Sequence, residues 1–170
     1  SVLRRYPSPA LYREMQSLLR EGQALSPRVR TDALELVASH AGAGGLHGLE
    51  ELLDGPPELA QAYLTQLGRF AVRGLEGRVA SMLANPDQNV VIASLDYLKV
   101  CGSSQCRDAV VTLLTSRDWT LRARAVEVLA ALRLAGTLDG VLGRLADSNR
   151  HVREAAVDAL RSFSDDRVEP

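Results

Sequence analysis

A chain of 170 residues with 46% apolar and 24% charged residues has the composition of one ordinary domain or a short repeat array, not of a disordered segment. Twenty basic residues against twenty-one acidic ones leave a net charge of −1, so the basic footprint of a nucleic-acid binder is missing and no nucleic-acid partner is expected. No apolar run approaches the roughly 18 residues of a membrane span and no signal-peptide pattern is seen, so the expectation is a cytoplasmic protein without direct membrane insertion.

The first helix is expected from Ser8-Pro9, a capping serine followed by proline at the first helical position, and Leu11, Met15, Leu18 and Leu19 give it one apolar face before Gly22 ends it. Ser26-Pro27 repeats the start signal and opens a helix through about His40, which the Ala41 to Gly45 stretch breaks. From there short leading helices (about 46–53, 76–84, 105–115 and 138–146) alternate with longer trailing ones (about 27–40, 57–71, 88–101, 119–133 and 150–163). Four trailing helices have a good N-cap three residues before their first apolar position: Ser26, Asp87, Asp118 and Asn149. The remaining one starts at Pro56-Pro57, where proline pre-sets φ. Cys101 and Cys106 flank the turn Gly102-Ser103-Ser104-Gln105 and have no second pair with which to make a zinc site. Two reduced thiols is the plain reading; a small disulfide across the turn is the alternative and needs an oxidising compartment.

The trailing helices are copies of one another. Leu121, Val126 and Leu129 return 31 residues later as Val152, Val157 and Leu160 and 31 earlier as Val90, Leu95 and Leu98. Leu59, Leu64 and Leu67 stand one step further back, then Val29, Leu34 and Val37. The leading helices keep the same period through Leu52, Leu83, Leu114 and Leu145. Five copies at such spacing mark an array of small units, none able to bury its own apolar face alone. On a helical wheel of about 100° per residue, positions one, five, six, nine and twelve face the core. Position five is small except for Tyr63, which is expected to push its neighbours apart or lean to an edge. Position twelve (His40, Phe70, Cys101, Leu132, Phe163) is expected to form a buried column. No stretch alternates with period two over strand length, so no sheet is expected.

Asp118-Trp119-Thr120-Leu121-Arg122-Ala123-Arg124-Ala125-Val126 and the stretch Asp147 to Leu160 resemble HEAT repeats, in particular the short bacterial HEAT-like kind related to phycobilisome-lyase repeats. Ser26 to Val37 resembles them through Val29-Arg30 and Ala33, whereas Ala60 and Val91 replace the arginine in the second and third copies. The resemblance implies an all-α, right-handed α-α superhelix of about five helix pairs over residues 1–170, a single HEAT-like repeat domain. It also implies that Arg30, Arg122 and Arg153 are structural, bonding the turn acids and carbonyls of neighbouring repeats. The last helix should pack its Val152, Val157, Leu160 and Phe163 backward with only a short polar tail after it. The chain is therefore expected to be a fragment of a larger protein or to lean on a neighbour.

Chemistry is thin. His40, His47 and His151 share no helical face at metal spacing; His40 reads as a core residue and His47 as the start of a short helix. Trp119 reads as packing at a turn. No nucleophile elbow, phosphate-cradling glycine loop or metal-ligand pair is present, so no catalytic residue and no cofactor is expected. The expected role is a non-catalytic protein-interaction scaffold using the concave face of the array. An enzyme or lyase of HEAT-like fold, bilin-lyase-like or DNA-glycosylase-like, is the alternative. The candidate protein-binding residues are Ile92, Asp96, Ala123 and Glu127 on the outward ridge of the third and fourth trailing helices. There an apolar strip flanked by acids suits another protein or a neighbouring domain, of the kind a basic amphipathic helix would present.

Overall fold

The computed structural model describes residues 9–21, 25–133 and 136–164. Among these the structure is all α: α1 (Pro9–Glu21), α2 (Pro27–Leu46), α3 (Pro57–Arg69), α4 (Glu76–Ser81), α5 (Gln88–Cys101), α6 (Arg107–Leu113), α7 (Trp119–Leu132), α8 (Leu138–Leu142) and α9 (Arg150–Ser164), with no strand. Short 3₁₀ turns extend α4 and α8 (Met82–Ala84, Gly143–Ala146) and precede α6 (Ser104–Cys106), so the leading helices lie close to where the period puts them. The capping chemistry read from the sequence is present. Asp87 accepts from Asn89 N–H at 2.8 Å, Asp118 from Thr120 N–H at 2.7 Å, Asn149 from His151 N–H at 2.8 Å and Ser26 from Val29 N–H at 3.4 Å. The cap expected at Ser8 and the stop at Gly22 lie outside the described residues.

The chain divides into two compact units, one ending at Val72 and one beginning at Arg73. In the first, α2 packs between α1 and α3, and the turn Glu50–Asp54 packs against α3 and α1. Its core is leucine-rich: Leu19, Leu34, Leu46, Leu49, Leu52, Leu59, Leu64 and Leu67 are fully buried or nearly so, while Val29 is exposed. Here the expected leading helix over 46–53 gives way to a different arrangement. Gly42 takes φ 55°, ψ −145°, a conformation without steric penalty only for glycine, and kinks the chain. The small residues after it then resume the helix as far as Leu46, so His47 closes α2 instead of opening a helix, and only the 3₁₀ turn Glu50–Asp54 follows.

Tyr63 does not lean to an edge. It is fully buried, and its hydroxyl donates to the Leu46 carbonyl at 2.8 Å, at the end of α2. Gln16 and Arg20 on α1 reach the same corner, donating to the Gly45 and Gly48 carbonyls at 3.0 and 2.9 Å.

In the second unit the trailing helices α5, α7 and α9 pack side by side, and each is backed by its leading helix α4, α6 or α8. Two cross-helix ion pairs, Asp96–Arg124 and Lys99–Glu127, join residues with the same offset of 28. A constant offset along both helices means that α5 and α7 run parallel. Most of the wheel's core positions are filled as expected, with Val90, Leu95, Leu98, Ala125, Val126, Leu129, Val152 and Ala156 fully buried, while Leu121 and Leu160 are half-buried. Position twelve is a looser column, fully buried only at Cys101 and half-buried at the other members.

Val157 departs from expectation. It is 43% exposed, whereas its counterparts Leu34, Leu64, Leu95 and Val126 are fully buried. Position six therefore points toward the following helix pair, not backward.

Cys101 and Cys106 are free thiols, both fully buried. Burial pushes both above the ordinary thiol value, against the partial relief that the Arg73 charge gives Cys101 and backbone hydrogen bonding at Ser103 and Cys106 gives Cys106. A raised pKa with no solvent access makes a poor nucleophile. Under native conditions both thiols are expected to resist a thiol-titrating reagent and to react fully only after denaturation. Rapid native labelling of either would contradict their placement.

Candidate protein-binding surface

In the second unit one arginine at the repeat position, Arg122, ties a helix pair to the next. Arg122, one residue after the first apolar position of α7, donates through Nε and Nη2 to both carboxylate oxygens of Asp147, each at 2.8 Å. Its Nη1 donates to the Ser116 and Arg117 carbonyls at 2.8 and 3.1 Å. The pair is 11% and 4% exposed, and bidentate geometry in partial burial is where such a bridge counts. Hydrogen bonding from Arg122 holds the Asp147 carboxyl below its usual value despite burial, helped by the Asn149 N–H and the Arg144 charge, and Asp147 raises Arg122 in return. Burial acts to raise Asp118, but hydrogen bonds from Thr120 and Gln88 outweigh it and hold its carboxyl low. Arg153 repeats half of the Arg122 pattern, donating to the Asp147 and Ser148 carbonyls, and Arg30 donates to the Leu19 carbonyl. All three arginines bond backbone carbonyls, but only Arg122 also reaches an acid in the turn of the neighbouring pair. Ala60 and Val91, at the equivalent places, are buried.

The outward ridge of α5, α7 and α9 carries the four candidate residues. Asp96 is exposed, Ile92 and Glu127 are half-buried, and Ala123 is only 8% exposed, so Ala123 adds little surface. Their charges are not free. Arg124 Nη1 lies 2.9 Å from Asp96 and 3.7 Å from Glu127, Lys99 Nζ donates to Glu127 at 2.8 Å, and Arg161 pairs with Asp158 at 2.8 Å. Asp96, Glu127 and Asp158 are therefore part of a mixed-charge network with Lys99, Arg124 and Arg161.

Beside it lies a groove of about 330 Å³ lined by Ala130, Ala131, Ala155 and Ala159, with Lys99, Glu127, Asp158 and Ser162 around them. Sequence reasoning reached Glu127 but not Lys99, Ala131, Ala155, Ala159 and Ser162. One signal was available: opposite charges 28 residues apart, one period less one turn, mark pairs across adjacent parallel helices.

The other polar residues have local structural roles. His40 shares a hydrogen bond with the Leu36 carbonyl at 2.9 Å and lies 6.4 Å from the Tyr12 ring. Trp119 is 42% exposed and stacks obliquely on His151 with ring centroids 5.2 Å apart, joining the first turns of α7 and α9. Among the described residues no cluster of three metal-ligating side chains occurs and no helix is long and apolar enough to cross a membrane.

Comparison with known proteins agrees with the geometry. A search of curated proteins returns no match to the chain. A family model described as HEAT repeats matches residues 107–169, the stretch that contains α6 to α9. HEAT repeats generally serve as protein-interaction scaffolds and are typically non-catalytic. Over those residues the chain is similar to HEAT repeats.

Proposed function

We propose that the chain is a non-catalytic scaffold that binds another protein along the ridge formed by α5, α7 and α9. The observation that carries this reading is the alanine-lined groove. Four methyl groups between parallel helices leave room for a partner's apolar side chains, and the surrounding charges give it orientation. Because Asp96, Glu127 and Asp158 already have basic partners within the chain, the apolar floor carries more of the recognition than the acids do. The partner that fits is an amphipathic helix with small or medium apolar residues at i, i+3/i+4 and i+7 and mixed charges on its flanks. Ile92, Asp96 and Glu127 extend the contact toward α5. The displaced pKa values support a scaffold, since Tyr97, Cys101 and Cys106 are raised by burial in the core and Asp147 is lowered by its structural partner.

A synthetic amphipathic helical peptide of that pattern, titrated by calorimetry, tests the proposal. Ala131→Arg and Ala155→Arg fill the groove and are expected to weaken binding about tenfold or more, roughly 1.4 kcal/mol, with no loss of helicity. Ile92→Arg, Asp96→Lys and Glu127→Lys are expected to weaken it less. Unchanged affinity in all five folded variants, or equal binding of a peptide with its apolar stripe replaced by serine, would sink the proposal.

A further inference from the structure

The rim of the alanine groove is uneven in its charge. Nineteen of the chain's twenty basic residues are arginine, and the one lysine, Lys99, stands on the α5 side of that rim. Its Nζ donates to Glu127 at 2.8 Å, in a pair whose side chains are 42% and 35% exposed. Glu127 has a second cation in reach, Arg124 Nη1 at 3.7 Å, and Arg124 itself donates to Asp96 at 2.9 Å. On the α9 side of the groove stand Asp158 and Ser162, and Asp158 holds Arg161 at 2.8 Å in an exposed pair.

This order of charges treats incoming groups differently. A cation that took Glu127 would leave Lys99 without the carboxylate it now holds. A carboxylate that took Lys99 would leave Glu127 free to close on Arg124, and no charge would be stranded. Breaking the present pair costs little, because a half-exposed ion pair is weak. An ammonium on a flexible stem also changes partners more readily than the planar fork of an arginine. We infer that Lys99 reads the partner's charge, and that the partner helix carries glutamate or aspartate on the flank facing α5. The incoming carboxylate replaces Glu127 on Lys99, Glu127 moves to Arg124, and the partner's other flank is basic or neutral beside Asp158. The inference rests on the ridge being the binding surface, and it fixes the sign and side of the charge that this surface selects. That sign is the reverse of the one the acids alone suggest.

Three versions of the synthetic amphipathic peptide, identical except for glutamate, glutamine or lysine along one flank, are titrated by calorimetry against the full chain at low ionic strength. The glutamate version is expected to bind about threefold tighter than the glutamine version. Lys99→Met should erase that preference and leave the glutamine peptide unaffected. Glu127→Gln removes the competing carboxylate at constant size and should tighten the glutamate peptide alone. Arg124 does not line the groove, yet Arg124→Met should weaken the glutamate peptide alone, because Glu127 then stays on Lys99. All three side chains are partly exposed, and circular dichroism checks that each variant keeps its helices. Equal affinity of the glutamate and glutamine peptides, or a glutamate preference that survives Lys99→Met, overturns the inference and leaves the ridge standing. Tighter binding of the lysine version overturns it as well, by making the groove select cations. Failure of all three peptides to bind overturns both the inference and the ridge.

Discussion

Arg122→Ala is expected to lower the melting temperature of the second unit by on the order of 10 °C, through a loss of about 3 kcal/mol. The substitution removes four hydrogen bonds at once and leaves Asp147, only 4% exposed, with just the Arg144 guanidinium at 3.9 Å as a cationic neighbour. Arg122→Lys keeps the charge but not the two-pronged geometry and should recover less than half of the loss.

The effect should also depend on pH in a definite direction. A carboxyl held below its unfolded value contributes stability that is fully present above that value, 3.8 for aspartate, and is lost as pH falls through the lower folded value. The gap between wild type and Arg122→Ala should therefore be constant near neutrality and narrow below about pH 4. Thermal unfolding followed by circular dichroism from pH 7 to pH 2 measures both. A drop under about 2 °C at pH 7, or a gap that widens in acid, would show that the bridge does not hold the two helix pairs together.

The first unit has its own sensitive point in Tyr63. Tyr63→Ala is expected to cost about 3–5 kcal/mol, because it empties a fully buried ring-sized volume beside Leu59, Leu64 and Leu67 on α3. Tyr63→Phe keeps the volume and removes the donor to the Leu46 carbonyl, for a cost of about 1–2 kcal/mol. Urea unfolding with a probe in the first unit separates the two terms. If Tyr63→Phe were neutral and Tyr63→Ala cost under 1 kcal/mol, the tyrosine would be a tolerated bulky substitution and not a tie between α3 and the end of α2.

The helix pairs were legible because their determinants are local. A capping side chain acts on the two or three N–H groups that follow it, and the period of 31 repeats the same core positions, so Asp87, Asp118 and Asn149 mark starts that the structure keeps. The corner after α2 was not legible. Ala41 to Gly45 reads as a stop by composition, yet only Gly42 leaves helical geometry, and packing on the buried Leu46 decides what the rest does. A wheel drawn for one helix places Asp96 and Glu127 outside correctly but cannot show that Arg124 and Lys99 neutralise them from the neighbouring helix. Val157 was misread for the same reason. Position six is buried only where another pair is stacked on it, and the residue type, the same valine as Val126, carries no information about that.

The account rests on an array in which each helix pair is protected by its neighbours, and amide hydrogen exchange resolved along the sequence tests this most directly. In the second unit α7 is covered by α5 on one side and α9 on the other, whereas the outer face of α9 is open. The predicted result is slowest exchange in α7, and α9 amides that exchange at least about tenfold faster at pH 7 and 25 °C. Protection of α9 equal to or greater than that of α7 would contradict the array.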